Sequence, residues 1–418
     1  PKLRRVSAVQ VRFNGTPPQF VEATDALIEI TVNEGNSRDW FGLGIAVKVN
    51  NWTVPFAQIF EALDRGADRI LLGNGTYFSL RRPEFKTLRT LIAEARELDD
   101  AGGELRINRH QAGLFSELES LAASVHTTAR WDAQVRSLLE LVEGMEDAEE
   151  SPEESLEKGT EKTPDKGAQD SPAPRKASQP VIAQRPVPTG LQATLRPYQV
   201  EGFQWLSFLY EQRLGGILAD DMGLGKTVQA LALLAHAMEE HRAASERAAK
   251  RGESVEPFVP FLVVAPTSVI ANWAAEAVRF LPEAKVVTIT ETTAGKTPLA
   301  ERVAGAHLVL TSYTLLRMDE DAYTGYARTL GRAVDESTGE LSAPEGWGAL
   351  LLDEAQFVKN TGTRAWSIAR AMPARTKIAM TGTPIENNLM ELWALLAIVA
   401  DGLFPSARAF RDLYARPA

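Results

Sequence analysis

The sequence reads as an α/β chain whose second half builds a parallel sheet, preceded by a small α+β domain and a disordered linker. Three observations predict this. From Leu191 onward, short β-type runs alternate with helical ones, as in a parallel sheet covered by helices. One of those runs, Gly216–Ala219, leads straight into a glycine loop and an apolar helix. Between Glu143 and Gly190 lie seven prolines and no aromatic residue, a composition that cannot bury enough apolar surface to offset chain entropy.

In the first 142 residues, Leu3–Phe13, Leu27–Val32 and Phe41–Val49 read as strands, the last by alternation of apolar residues. Val54–Leu63 and Glu84–Leu98 carry helical spacing, the second opening behind Pro83. Ile70-Leu71-Leu72 and Tyr77-Phe78-Ser79-Leu80 flank Asn74-Gly75, a two-residue hairpin signal. A further helix is expected near Trp131–Val142. This accessory domain, 1–142, shows no catalytic spacing and is left as a surface for a protein client. Its basic start (Lys2, Arg4, Arg5, Arg12) fits a solvated strand face better than a phosphate contact.

The 418 residues carry 45 Lys+Arg against 55 Asp+Glu, a formal net charge of −10, and no cysteine. The absence of cysteine excludes a disulfide scaffold, thiolate zinc sites and cysteine nucleophiles. The longest strongly apolar run, Leu392–Ala400, is too short to span a bilayer, and no signal peptide opens the chain. The expectation is a cytoplasmic protein with no membrane contact. The acidity is local: residues 143–170 hold 11 acidic and 3 basic groups, whereas 191–418 hold 26 and 22. The charge therefore describes a self-repelling tether, 143–190, with an acidic docking peptide as its alternative.

In the last 228 residues, 191–418, the candidate strands are Gly216–Ala219, Phe261–Ala265, Lys285–Ile289, His307–Thr311, Ala349–Leu352 and Lys377–Met380. Met238–Glu256 and Met318–Gly346 look inserted, the first as a solvated helix extension, the second as a surface excursion. Asp220-Asp221-Met222-Gly223-Leu224-Gly225-Lys226-Thr227 joins the first strand to the helix Val228–Ala237. Gly223 and Gly225 let backbone N–H groups curl around an anion at the positive end of that helix. Lys226 would reach the β- and γ-phosphates and the Thr227 hydroxyl would ligate Mg²⁺. Asp220 stands where the common phosphate-loop pattern has its first glycine, so an ordinary strand-to-helix turn remains the alternative at this point.

A second acidic site decides between them. Ala349–Leu352 ends in Asp353-Glu354-Ala355-Gln356, two acids at the C-terminal end of a buried strand, where open α/β sheets place ligands. Asp353 would hold the Mg²⁺ and Glu354 would orient or deprotonate the attacking water. With Thr381-Gly382-Thr383-Pro384 downstream, the set predicts ATP binding. The five histidines lack ligand spacing, so the only metal implied is the Mg²⁺ that accompanies ATP.

Six blocks in this order resemble the Swi/Snf-type DNA translocases of helicase superfamily two, and the chain is similar to bacterial members. They are Leu195–Gly202, Asp220–Thr227, Val263–Ser268 with Asn272-Trp273, Leu310–Tyr313, Asp353–Gln356 and Thr381–Asn388. The resemblance covers about residues 191–417 and implies a RecA-like P-loop lobe acting on double-stranded DNA. The aspartate in place of the first loop glycine is itself usual in that family. By this resemblance Arg196 and Gln199 would recognise the adenine side of the nucleotide. Thr267, Ser268, Ser312 and Tyr313 would meet DNA phosphates, with Lys359, Asn360, Asn387 and Asn388 extending that surface. Thr381, Gly382 and Thr383 would couple nucleotide state to the DNA loops, and Trp273 would pack as core.

Family members carry a second RecA-like lobe that supplies arginines to the transferring phosphoryl group. No second P-loop-like sheet follows Asn388, so these residues are expected to form one lobe with its accessory domain, nearly inactive alone. The alternatives are a strand-separating helicase of the same superfamily and a non-catalytic nucleotide-binding regulatory module.

Overall fold

In a computed structural model the chain divides into two compact units, residues 1–139 and 140–418. The structure describes residues 184–415 except 294–296, 332–344 and 405. In the first unit it describes 21–23, 26–33, 40–49, 52–55, 67–72, 76–88, 106–108 and 112–129, with isolated positions at 58–65 and 131–135.

The first unit is α+β. Strands β1 (Val21–Glu22), β2 (Ala26–Asn33), β3 (Trp40–Val49), β4 (Trp52–Pro55), β5 (Arg69–Leu71), β6 (Thr76–Ser79), β7 (Arg106–Asn108) and β8 (Ser124–His126) form two sheets, with helix α1 (Ala112–Leu121) before β8. One sheet runs β4-β3-β2-β8 with β7 on β3, and the other runs β1-β6-β5. In β2, Ile28, Ile30 and Val32 face the core while Glu29 and Thr31 are only half-buried, the period of two of a strand with one covered face. The antiparallel β5–β6 pair matches the expected hairpin; its turn, 73–75, lies outside the described residues. Two expectations change. Val54 lies in β4, so the helix read over Val54–Leu63 starts later, and α1 with its flanking strands carries no strong sequence signal. The expected strand Leu3–Phe13, most of the helices at Glu84–Leu98 and Trp131–Val142, and the linker up to residue 183 lie outside the described residues.

The second unit holds a six-stranded, all-parallel sheet: β9 (Gly216–Leu218), β10 (Phe261–Ala265), β11 (Val286–Thr288), β12 (Leu308–Ser312), β13 (Ala349–Asp353) and β14 (Lys377–Met380). The order is β11-β12-β10-β13-β14-β9. The inner strands β10, β12 and β13 are buried at every residue, which is why they read as unbroken apolar runs rather than alternation. Helices α2 (Pro197–Glu211), α3 (Lys226–Arg251), α4 (Thr267–Phe280), α5 (Leu299–Arg302), α6 (Tyr313–Met318), α7 (Glu320–Ala327), α8 (Arg364–Ala371), α9 (Leu389–Val399) and α10 (Ala407–Phe410) complete it. Every predicted strand of this half is present, each within one residue at either end.

Of the two segments that look inserted, the first is a helix extension, as read, and the second differs from its reading. Met238–Glu256 begins as an unbroken continuation of α3, which runs for 26 residues and stops at Gly252 in the left-handed region (φ 73°). Residues 318–346 begin as packed helix, not as surface excursion. Tyr323 of α7 is fully buried and its hydroxyl meets the Thr311 hydroxyl at 2.6 Å.

Candidate nucleotide site

The parallel register brings the chemistry to one edge of the sheet. Leu218 of β9 pairs with Met380 of β14, which pairs with Asp353 of β13. The residues that follow these three, the loop from Asp220, the segment from Thr381 and the pair Asp353-Glu354, therefore leave the sheet side by side. The Thr381 N–H closes the row by donating to the Leu218 carbonyl at 3.1 Å.

The phosphate loop turns through two left-handed glycines, Gly223 (φ 83°) and Gly225 (φ 82°), the conformation glycine adopts without a side-chain clash. Gly225 is the N-cap of α3, so the first N–H groups of that helix face the loop. The Lys226 ammonium donates to the Asp220 and Asp221 carbonyls at 2.7 and 3.1 Å, inside the curl of the loop.

Two buried amides brace this loop. Gln199 accepts from the Arg196 N–H at 2.9 Å and donates to the Leu224 carbonyl at 2.9 Å, to which the Tyr198 hydroxyl also donates at 3.2 Å. Both ends of the Gln199 amide are thus used within the protein, and a side chain at Gly225 would meet its Nε2 at 2.5 Å. Gln229, fully buried on α3, donates to Asp220 Oδ2 at 2.7 Å. Asp220 therefore anchors the loop to its own helix. Gln229 escapes sequence reasoning because a glutamine inside an apolar helical run reads as a solvated position.

Asp353 is 7% exposed and receives the Trp273 indole N–H on Oδ2 at 2.7 Å and the Glu354 backbone N–H on Oδ1 at 2.9 Å. Burial lifts its carboxyl above the ordinary aspartate range, against the pull of these two donors and of the Lys226 charge. A desolvated carboxyl within the field of the loop lysine fits a divalent cation, which would relieve the burial cost. Thr227, in the first turn of α3, and Asp353 are the residues that would hold Mg²⁺. Glu354 takes a left-handed backbone (φ 47°), uncommon for a non-glycine residue, which aims its side chain away from the strand. Its Oε2 accepts from Gln356 Nε2 at 2.8 Å; the Thr381 hydroxyl donates to Gln356 Oε1 at 3.2 Å, and the Thr383 N–H donates to that hydroxyl at 3.1 Å. Glu354, Gln356, Thr381 and Thr383 form one hydrogen-bonded chain across Gly382.

The residues expected on DNA divide. Thr267 and Ser268 are exposed at the start of α4, and Asn360, Asn387 and Asn388 are exposed as well. Ser312 and Tyr313 instead have buried side chains. Ser312 is 4% exposed and its Oγ caps α6 by accepting from the Leu315 N–H at 3.2 Å, while the buried Tyr313 hydroxyl donates to the Asp353 carbonyl at 2.8 Å. The Lys359 side chain is buried too, with Nζ 3.4 Å from Glu391 and 3.6 Å from Glu386. Glu391 also accepts the Glu386 N–H at 2.9 Å and Asn387 Nδ2–H at 2.7 Å, so it gathers the loop after Thr383 onto α9. Sequence reasoning missed Glu391; as the third residue after the N-cap Asn388 it carries a helix-start signal that could have found it.

A family model described as SNF2-related domain matches residues 198–418. The chain is 36% identical over 249 residues to the chromatin-remodeling ATPase INO80 of Arabidopsis thaliana, covering 57% of this chain and 14% of that protein. It is 33% identical over 247 residues to the Drosophila melanogaster protein of the same name, covering 57% and 13%. A solved structure of the Sulfolobus solfataricus SWI2/SNF2 ATPase core in complex with dsDNA is 30% identical over 54% of this chain and 40% of that chain, with a TM-score of 0.41. The chain thus spans a small part of the length of the curated relatives it matches. On the family match, which takes in more than half of its residues and all of the site just described but Arg196, the chain belongs to the SNF2-related domain family.

Proposed function

We propose that residues 191–418 are the ATP-binding lobe of a double-stranded DNA translocase, hydrolysing ATP to ADP and phosphate when a second RecA-like lobe completes the cleft. The observation that carries this reading is the meeting, at one sheet edge, of the Lys226 loop with Asp353 and Glu354, braced by Gln229 and Trp273. Lys226 would give up the Asp220 and Asp221 carbonyls and turn its ammonium to the phosphates, while the N–H groups of the loop hold the oxygens. Bound at Thr227 and Asp353, Mg²⁺ would neutralise charge on the phosphates. Glu354, its carboxylate oriented by Gln356, would hold the attacking water. Arg196 and Gln199 would sit at the adenine side, with Gln199 exchanging one of its present hydrogen bonds.

Duplex DNA would be gripped at its phosphates by Thr267 and Ser268 at the start of α4 and by Asn387 on the loop after Thr383, giving binding without sequence preference and with steep salt dependence. The chain Glu354–Gln356–Thr381–Thr383 would couple hydrolysis to that grip. The loop stays open on one side, where Met222 is 72% and Leu224 37% exposed, as a surface awaiting the second lobe. In this reading the 418 residues alone bind ATP weakly and turn it over slowly, residues 143–190 act as a tether, and 1–142 meet a protein client.

Nucleotide titration and ATP turnover with and without duplex DNA test the reading. Loss of binding in Lys226→Ala supports it, and affinity unchanged in that variant overturns it in favour of a non-catalytic module. Displacement of a triplex strand without opening of a forked duplex would separate a translocase from a strand-separating helicase.

A further inference from the structure

At the end of the sheet opposite to the phosphate loop, a cavity of about 550 Å³ lies between the starts of β10, β13 and β14 and the helices α2 and α3. Its outer wall is the continuation of α3 past Met238. The floor is apolar, with Ala237, Phe258, Val259 and Leu330, and its volume falls in the range of small-molecule sites. Arg375, just before β14, brings a guanidinium into it 4.7 Å from the centroid of the Tyr210 ring.

That guanidinium lacks an acceptor. Its Nε is buried without a hydrogen-bond partner. The carboxylates deep in the same wall are already engaged: Glu211 with Arg185 at 2.6 Å and His236 at 3.1 Å, Glu345 with Arg213 at 2.6 Å. A buried N–H left without an acceptor costs stability, and native proteins leave few of them. An arginine fork presented from an aromatic face matches a planar carboxylate or a phosphate group. At the mouth stand Glu240 and Glu256, both exposed, which would repel an extended polyanion such as nucleic acid.

We propose that this cavity is a binding site for a small organic anion, a carboxylate or phosphate monoester on a flat apolar body. The anionic head pairs with Arg375 and the body lies against Phe258 and Leu330. The site is separate from the nucleotide site and does not rest on the function proposed for it.

Calorimetric titration of the 418-residue chain with 1-naphthoate, 1-naphthyl phosphate and the neutral 1-naphthalenemethanol tests it. At least one of the two anions binds one to one, at least tenfold tighter than the alcohol, and the tighter anion identifies the head group. Arg375→Gln and the cavity-filling Leu330→Trp each weaken that binding at least tenfold. Arg375→Lys, which keeps the charge, retains part of it and guards against misfolding as the cause of loss. Lys226→Ala leaves it unchanged, which excludes the phosphate loop as the binding place. The proposal is overturned by failure of both anions to bind, by equal affinity for the alcohol, by binding that survives both Arg375→Gln and Leu330→Trp, or by loss in Lys226→Ala.

Discussion

Trp273 and Asp353, 80 residues apart, meet through one buried hydrogen bond, with the indole N–H 2.7 Å from Oδ2. The tryptophan sits on α4, whose first residues Thr267 and Ser268 face solvent, and the aspartate ends the strand that carries the acid pair. One side chain thus ties the helix proposed to grip DNA to the carboxylate proposed to hold the metal.

Replacing Trp273 with Phe keeps most of the buried volume and removes the donor. The loss of a hydrogen bond to a charged acceptor is worth about 1.5–3 kcal/mol. Chemical denaturation should show a loss of that order at neutral pH, and metal-dependent nucleotide binding should weaken while binding without metal stays closer to wild type. Equal weakening with and without metal would count against a role through Asp353.

Gly202 of α2 leaves no room for a side chain: a Cβ there would lie 1.9 Å from Gln229 Oε1. Since Gln229 holds Asp220, Gly202→Ala should disturb the phosphate loop without touching it. The expected outcome is nucleotide affinity reduced at least fivefold, with the α2–α3 packing destabilised by about 1–3 kcal/mol. Unchanged affinity in a folded Gly202→Ala protein would show that the Asp220 brace does not matter for binding.

Acid should loosen the loop that follows Thr383. The Asn387 side chain, the N–H groups of Glu386 and Asn387, and the Lys359 ammonium hold the Glu391 carboxyl at about 2, below its ordinary value of 4.5. Because the folded value is depressed, its stabilisation is complete above the ordinary value and is lost as pH falls toward the folded one. Thermal melting between about pH 5 and pH 3 should therefore fall more steeply for the wild type than for Glu391→Gln. Parallel slopes would rule the contribution out. At neutral pH, Lys359→Met leaves Glu391 without its cation and should cost less than the about 3–5 kcal/mol of a broken buried pair, because three N–H donors stay on the carboxylate.

The hydroxyl of Tyr313 and those of Thr267 and Ser268 should separate in their effects. Tyr313→Phe removes a buried bond to the Asp353 carbonyl and should lower stability by about 1 kcal/mol with little change in duplex affinity. The double variant Thr267→Ala with Ser268→Ala should leave melting nearly unchanged and weaken duplex binding measured by anisotropy at low salt. The reverse pattern would restore Tyr313 to the DNA surface.

The parallel sheet was legible because its inner strands are buried on both faces and so appear as bounded apolar runs, Phe261–Ala265 and Ala349–Leu352 among them. The loop Asp220–Thr227 and the pair Asp353-Glu354 were legible because their chemistry demands those residue types in that order. What the sequence hid are contacts between distant side chains. Gln229 and Trp273 sit at positions where a helix pattern asks only for polarity or bulk, and their partners lie on other elements. The burial of Ser312, Tyr313 and Lys359 was hidden for a related reason, since a hydroxyl or an ammonium looks the same in sequence whether it faces water or a buried acceptor. The helix Ala112–Leu121 went unread because its glycine and serines mask a short apolar face.

Helix α3 begins at Lys226, inside the phosphate loop, and its continuation past Met238 walls the cavity around Arg375. At 1.5 Å per residue its 26 residues make a strut of about 39 Å. A hydrogen-bonded helix resists compression along its axis. The loop and the distal cavity are therefore walled by one helix, whose 26 residues fix the spacing between the two ends of the sheet.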